Sequence, residues 1–394
     1  MDILHILQNL AETSGIAMLM ESPQQLIMIG VALVLFYLAL VKQFEPLLLL
    51  GIAFGMLLTN LPGSGMFHPE LWDPSRYGGI TAGEVFRDGG LLDFFYFGLH
   101  IGLYPSLIFL GVGAMTDFSP MLANKKTMFL GAAAQMGIFA AFLLAIRFGF
   151  NGAEGAAIGI IGSADGPTAL FLTSRLSPHL LGAVAVAAYS YMALVPLIQP
   201  PFMRLLTTKK ERAIEMPPPR NVTKQEKIIF PIAVATFVIL LLPTVAPLVG
   251  MLMLGNLLKE CGLTDRLSDT AQNTLMNVVT IFLSLSVGAT TVASSFLRGE
   301  TILIIVLGLL AFTLSTICGV LLAKMLCVLT GGKINPLIGG AGVSAIPMSA
   351  RVVQVEGQRA NPKNFLLMHA MGPSVASVVC SALVAGFFLI IFGG

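Results

Sequence analysis

Residues 151–168 read NGAEGAAIGIIGSADGPT, and a second stretch, Asn335–Pro347, reads NPLIGGAGVSAIP. Neither can run as an unbroken helix, because glycine weakens a helix interior and proline removes a donor and clashes with the preceding turn. Irregular backbone at membrane depth survives only where it is buried in protein or lines a water-filled cavity. There, freed carbonyls and helix ends can replace the hydration shell of a cation. A packing surface of small residues that draws helices together would account for the glycines. It would leave the prolines and the acid, Asp165, unexplained.

The chain around these stretches has the composition of a membrane protein. Of 394 residues, 56% are hydrophobic and 11% charged, against about 25% charged in soluble domains. Leu26–Val41, Ile228–Leu242, Thr301–Leu322 and Asn364–Phe392 approach or exceed the roughly 17–25 apolar residues that cross a bilayer. One very large soluble core does not explain several such runs. The net charge of +2, with no basic stripe and interleaved aromatics, points away from nucleic acid. Cys261, Cys318, Cys327 and Cys380 form no CxxC pair, so neither a disulfide framework nor a zinc site is expected. Residues 1–25 carry Asp2, Glu12 and Glu21 without a basic n-region, and read as an amphipathic lead-in.

The longest polar break, 203–227, holds Arg204, Lys209, Lys210, Arg212, Arg220, Lys224 and Lys227 around Pro217-Pro218-Pro219. The positive-inside rule makes it a cytoplasmic linker, with Asn124–Lys126 and Arg351–Lys363 on the same side. The Gly-, Pro- and Trp-containing region 62–93 fits an external loop. Sequence on the two sides of the linker repeats in order. Pro46-Leu47 and Gly55 answer to Pro247-Leu248 and Gly255; Val112-Gly113-Ala114 answers to Val287-Gly288-Ala289. The two glycine-rich stretches follow, each trailed by Arg-x-x-Pro at Arg175/Pro178 and Arg359/Pro362. An odd number of crossings plus one interrupted segment in each half inverts the second half, which is transporter architecture. The expected fold is therefore an all-α polytopic protein of two inverted repeats, 26–202 and 228–394, with roughly ten spanning helices.

A carboxylate at the bilayer centre costs about 2.5–3.5 kcal/mol even on the lenient insertion scale. Asp165 is accordingly expected to act as Na⁺ ligand, proton carrier or both. The blander role is a cap on the helix beginning at Pro167, and the two are compatible. Tyr191, in the following helix, offers a phenol that can pass a proton or bond a carboxylate. Asn335 and Ser344 supply neutral oxygens to a small, hard cation, and Ser374 matches Ser190 by repeat position. Arg351 is placed at the cytoplasmic mouth, as an anion partner or as a positive-inside anchor. His100 and His369 lack ligand spacing and are read as structural. No nucleotide-binding loop, redox motif or biotin-attachment Met-Lys-Met is present. Residues alone thus leave open a Na⁺- or H⁺-coupled carboxylate transporter and a pump driven by a partner.

Ile160–Thr168 (IIGSADGPT), Phe109–Asp117 (FLGVGAMTD) and Asn335–Arg351 (NPLIGGAGVSAIPMSAR) resemble the β subunit of the Na⁺-pumping, biotin-dependent decarboxylases, over about residue 26 to the C-terminus. The resemblance implies a bacterial inner-membrane subunit that decarboxylates carboxybiotin and couples CO₂ release and proton consumption to Na⁺ export. A carboxyltransferase α subunit, a biotin carrier domain and a small γ-type membrane subunit would be its partners, in a complex containing more than one copy. Biotin would be carried by a partner and not attached to this chain. Asp165 matches the family's essential aspartate and Tyr191 its proton-relay tyrosine. Asn335, Gly339 and Ser344 match its ion-site positions, and Arg351 an arginine beside the carboxybiotin. Related chains often carry asparagine where this one has Ser374, which still offers an oxygen to Na⁺. No function is carried onto 62–93, and the acid that is decarboxylated belongs to the carboxyltransferase.

Overall fold

A computed structural model describes residues 14–72 and 80–393. The first thirteen residues of the expected lead-in, and 73–79 within the expected external loop, lie outside the described residues. The described chain is helical, without a strand. The helices that matter for the site are α1 (Pro23–Leu40), α2 (Pro46–Thr59), α3 (Leu91–His100), α4 (Leu103–Met115), α5 (Thr127–Arg147), α6 (Gly152–Gly159) and α7 (Gly166–Leu176). After them come α8 (Pro178–Leu206), α9 (Lys224–Leu241), α10 (Met251–Glu260), α11 (Met276–Ala289), α12 (Gly299–Leu329), α13 (Met348–Ala360) and α14 (Leu367–Phe392). Proline opens α1 and α2, where its missing N–H is an orphan in any helix. A Thr223/Glu226 capping box opens α9.

Among the described residues, five helices are long and apolar enough to cross a membrane: α1, α5, α8, α12 and α14. The pair α3–α4 makes a sixth if counted as one span bent by 65°. The bend falls at Gly102, whose φ of +83° only glycine adopts freely. Outward faces carry large apolar side chains, including Leu47 at 75% and Leu240 at 79% exposure. A water-facing surface would not carry so many, whereas lipid accepts them. The molecule is a multi-pass membrane protein.

Two glycine-lined crossings weld the parts before and after the linker. A methyl group at Gly55 of α2 would sit 2.5 Å from the Leu285 carbonyl oxygen of α11, and one at Gly288 would sit 2.3 Å from that of Ile52. The second crossing pairs α4 with α10, where a methyl at Gly113 would lie 1.9 Å from Leu252 O and one at Gly255 2.0 Å from Leu110 O. Backbones this close are what small residues permit between membrane helices. Buried asparagines pin both crossings. Asn60 donates to the Thr291 carbonyl (2.8 Å) and accepts from the Ala293 amide (3.1 Å); Asn256 donates to the Thr116 carbonyl (3.1 Å).

Both interrupted stretches are buried. In the first, α6 tightens into a 3₁₀ turn over Ile160–Ser163, passes through left-handed Ala164 (φ +53°) and extended Asp165, and restarts as α7. In the second, a 3₁₀ stretch over Pro336–Gly342 leads through irregular backbone to α13. The two tips meet, the Ser344 amide donating to the Ser163 carbonyl at 2.8 Å. They are wedged between α5, α12 and α14. A methyl at Gly339 would fall 2.1 Å from Gly319 O on α12, and one at Gly342 2.6 Å from Leu130 O on α5.

Candidate functional site

Asp165 stands at the first tip as the N-cap of α7. Its Oδ1 accepts from the Thr168 amide (3.4 Å), and its Oδ2 accepts from the Thr168 hydroxyl (2.8 Å) and the Ser381 hydroxyl (2.7 Å). Capping and burial therefore coexist, for the residue is only 7% exposed. A buried carboxylate must be paired or neutralised. Asp165 forms no ion pair with a basic side chain among the described residues; its partners are neutral hydroxyls and an amide. A proton or a bound cation is what remains to neutralise it.

Ser381 belongs to a polar stripe on α14. Ser374, Ser377 and Ser381 follow one another at i, i+3 and i+7, which puts them on one helix face. That face meets both tips. Ser381 bonds Asp165. Ser377 Oγ lies 2.8 Å from Ser344 Oγ and accepts from Gln135 Nε2 at 2.8 Å. Ser374 Oγ lies 3.3 Å from Ser349 Oγ and donates to the Val343 carbonyl at 3.3 Å. Gln135 Oε1 is buried with no partner. The structure thus brings Asp165, Ser344 and Ser374 together along α14, and adds Thr168, Gln135, Ser377 and Ser381. Spacing alone would have revealed Ser377 and Ser381, since both share the stripe that starts at Ser374. The donor set is one carboxyl with hydroxyl and carbonyl oxygens, which suits a hard monovalent cation; no cluster of three or more His, Cys, Asp or Glu occurs among the described residues.

Other expected residues lie elsewhere. Asn335 is fully buried, but its Nδ2 donates to the Arg212 and Ile214 carbonyls (2.9 Å each) and its Oδ1 caps the Leu337 amide. Asn364 makes the same two bonds to the linker, so Asn335 ties linker to tip in this conformation. Gly339 touches α12 with its backbone. The Tyr191 hydroxyl donates to the Ile305 carbonyl of α12, and its ring packs in the same core cluster as Ile160 and Ile161. Tyr189, two residues earlier, is turned by about 200° around the helix and lies against the start of α7. A methyl at Gly166 would lie 2.4 Å from its ring, and its buried hydroxyl has no partner.

Arg351 is exposed on α13 and lines a cavity of about 430 Å³ with Gln43, Phe44, Glu45, Pro196 and Pro200. Neighbouring Glu356 is already neutralised by Arg204 and Arg359, with contacts of 2.7 Å. Its carboxyl is held below the ordinary value, chiefly by the Arg204 guanidinium. Arg351 forms no ion pair among the described residues and so keeps its charge available. Three non-glycine residues described here have positive φ: Ala164 beside Asp165, and Gln43 and Glu45 at the cavity rim. Such residues cost about 1–3 kcal/mol each and concentrate at functional sites.

A buried acid neutralised by no side chain, at the junction of two interrupted segments inside a helical membrane protein, fits the class of ion-translocating proteins. The family model of the Na⁺-transporting oxaloacetate decarboxylase β subunit matches residues 24–392, and the chain belongs to that family. It is 56% identical to the methylmalonyl-CoA decarboxylase β subunit of Propionigenium modestum, over 93% of this chain and 95% of that one. Identity is also 56% to the glutaconyl-CoA decarboxylase β subunit of Acidaminococcus fermentans, over 93% of each chain. The oxaloacetate decarboxylase β chain of Klebsiella pneumoniae is 50% identical over 95% of this chain and 96% of its own. The protein is a multi-pass inner-membrane subunit of a multi-subunit, biotin-dependent decarboxylase coupled to Na⁺ transport, with the biotin on another subunit. A carboxylate transporter working alone is not favoured by these relatives.

Proposed function

We propose that this chain decarboxylates carboxybiotin presented by a carrier domain and uses the accompanying proton uptake to export Na⁺. The observation that carries this reading is Asp165, buried between two tips with only neutral partners. Its carboxyl can hold a proton or Na⁺ in turn, and this exchange is the coupling. Asp165, Ser344 and Ser374 supply the Na⁺ site, with Ser381, Thr168 and Gln135 beside them. Gly339 and Asn335 shape the second tip and join the ion path when the linker contacts of Asn335 are released. Tyr191 carries protons when its phenol leaves the Ile305 carbonyl. The cavity beneath Arg351, with apolar walls from Phe44, Pro196, Pro200 and Val355, suits a flat heterocycle bearing a carboxylate, and Arg351 would hold that carboxylate. When bound, the carboxylated biotin supplies a group that leaves as CO₂ once its ring nitrogen is protonated.

We further read the chain as two inverted repeats, 26–202 and 228–394, following a lead-in at 1–25 and joined by a cytoplasmic linker at 203–227. The glycine crossings support this. Repeat-related Gly55 and Gly255 lie in the α2–α11 and α10–α4 crossings, with repeat-related Gly288 and Gly113 on the facing helices, as a pseudo-two-fold axis requires. Counting the shorter α2, α9, α10 and α11, and taking α3–α4 as one, gives ten spans. The welded helices form a scaffold, and the tips with α5, α8, α12 and α14 form the body that moves against it. A carboxyltransferase α subunit, a γ-type membrane subunit and further copies of this chain complete the complex. The three relatives act on three different acids at similar identity, which supports assigning acid choice to the carboxyltransferase.

The test is Na⁺ uptake and decarboxylation by the reconstituted complex in vesicles. Asp165→Asn should abolish both together. Retention of both excludes Asp165 from the site, and Na⁺ uptake without decarboxylation returns the reading to a stand-alone transporter. Single cysteines at Lys209 and Ser294 should label from opposite sides of the membrane.

A further inference from the structure

Glu45 is the one acidic side chain of the Arg351 cavity that no cation neutralises. Its carboxyl forms no hydrogen bond or ion pair among the described residues, whereas Glu356 across the cavity is held by Arg204 and Arg359. It sits on a turn whose backbone is left-handed at Gln43 (φ +55°) and at Glu45 itself (φ +38°), a conformation that lacks glycine's freedom at either position.

The wall of α8 leads inward from this cavity. Ala193, Pro196 and Pro200 line it, and Tyr189 continues the same i, i+3/i+4 stripe one turn deeper. The Tyr189 ring lies against Gly166, next to Asp165. Its buried hydroxyl has no hydrogen-bond partner. An unpartnered buried hydroxyl requires an explanation, and a place on the α8 stripe that runs from the Glu45 cavity to the Asp165 tip provides one.

We propose that Glu45 is the proton-holding carboxyl of the inner cavity, exchanging its proton with the buried site through the Tyr189 hydroxyl. The step balances internally. Tyr189 gives its proton to the Glu45 carboxylate and receives one from the tip side, so one proton moves and the phenol is restored. The phenol bonds neither carboxyl in this conformation, and water in a cavity of about 430 Å³, or a small shift of the tips against α2, closes the path. Burial pushes the Glu45 carboxyl above its ordinary value, so it keeps a proton to higher pH than a free glutamate. The charged and titratable groups around it are Arg351, Glu356 and Arg359 of α13, Tyr189 of α8, and Lys42 on its own turn, whose ammonium lies 5.9 Å from the Tyr37 ring centre. The inference rests on the reading of Asp165 given above.

The test uses the purified decarboxylase complex. Infrared difference spectra, titrated without any acid substrate, should contain a protonated-carboxyl band that Glu45→Gln lacks and whose midpoint moves in Tyr189→Phe. Reconstituted Glu45→Gln and Tyr189→Phe should each lose on the order of 10²-fold in kcat with the KM for Na⁺ unchanged, and the double variant should be no worse than the worse single. Glu45→Asp should recover most of the rate. Co-purification of the partner subunits checks assembly, and the infrared band needs no turnover. A wild-type rate, pH profile and spectrum in Glu45→Gln overturn the relay. If Asp165→Asn is inactive while Glu45→Gln is not, only the relay fails; an active Asp165→Asn removes the underlying reading instead.

Discussion

The two interrupted segments are alike in architecture and unlike in chemistry. Each is buried, glycine-lined and ended by a 3₁₀ turn, and they join through one backbone bond from Ser344 to Ser163. The first ends in a carboxyl that accepts from two hydroxyls; the second ends in serine hydroxyls alone. The titratable chemistry at this junction thus lies on one side only.

The sharpest way to break this contrast is Asp165→Asn, which should lower decarboxylation and Na⁺ uptake together by on the order of 10²–10⁴-fold. Next comes Ser381→Ala, which takes a donor from the charged side. At about 1.5–3 kcal/mol for a bond to a charged group, the KM for Na⁺ should rise roughly 10- to 100-fold, read from uptake at varied Na⁺. Gly288→Val tests the scaffold rather than the site. Its side chain collides with the Ile52 carbonyl and should cost about 1–3 kcal/mol, seen as a lower melting temperature in detergent. Gly30→Ala, with nothing within 4 Å of its new methyl, should leave the melt unchanged. Ser377→Ala removes a neutral bond from the second tip and should weaken Na⁺ by only about 0.5–1.5 kcal/mol; an effect as large as that of Ser381→Ala would erase the asymmetry.

The smallest effect belongs to the linker. The Arg220 guanidinium and the Thr223 cap hold the Glu226 carboxyl down to about 2. This contribution is present above the ordinary carboxyl range, and it fades as pH falls through about 2. The difference in melting temperature between wild type and Glu226→Gln should therefore shrink from pH 5 downward, with Na⁺ uptake unchanged at neutral pH.

Membrane class, the two interrupted stretches and the presence of an acid, Asp165, inside the first of them were all legible in the linear chain. Apolar run length, glycine and proline punctuation, and a lone acid are local properties, and desolvation makes each of them energetically loud. The family was legible from three motifs for the same reason. Partner assignment was not local. Asn335 offers an oxygen as a residue type, yet its amide group holds the linker at Arg212 and Ile214, over a hundred positions away. Tyr191 and Tyr189 are equivalent as residue types, and only the facing of α8 against α12 and α7 separates them. Ser377 and Ser381 were readable as a helix stripe, but which helix ends that stripe would meet depended on how α14 packs. Sequence determines what a residue can do in lipid, because its transfer cost is its own. Tertiary packing decides what it does, because a hydrogen bond needs the other atom within about 3 Å.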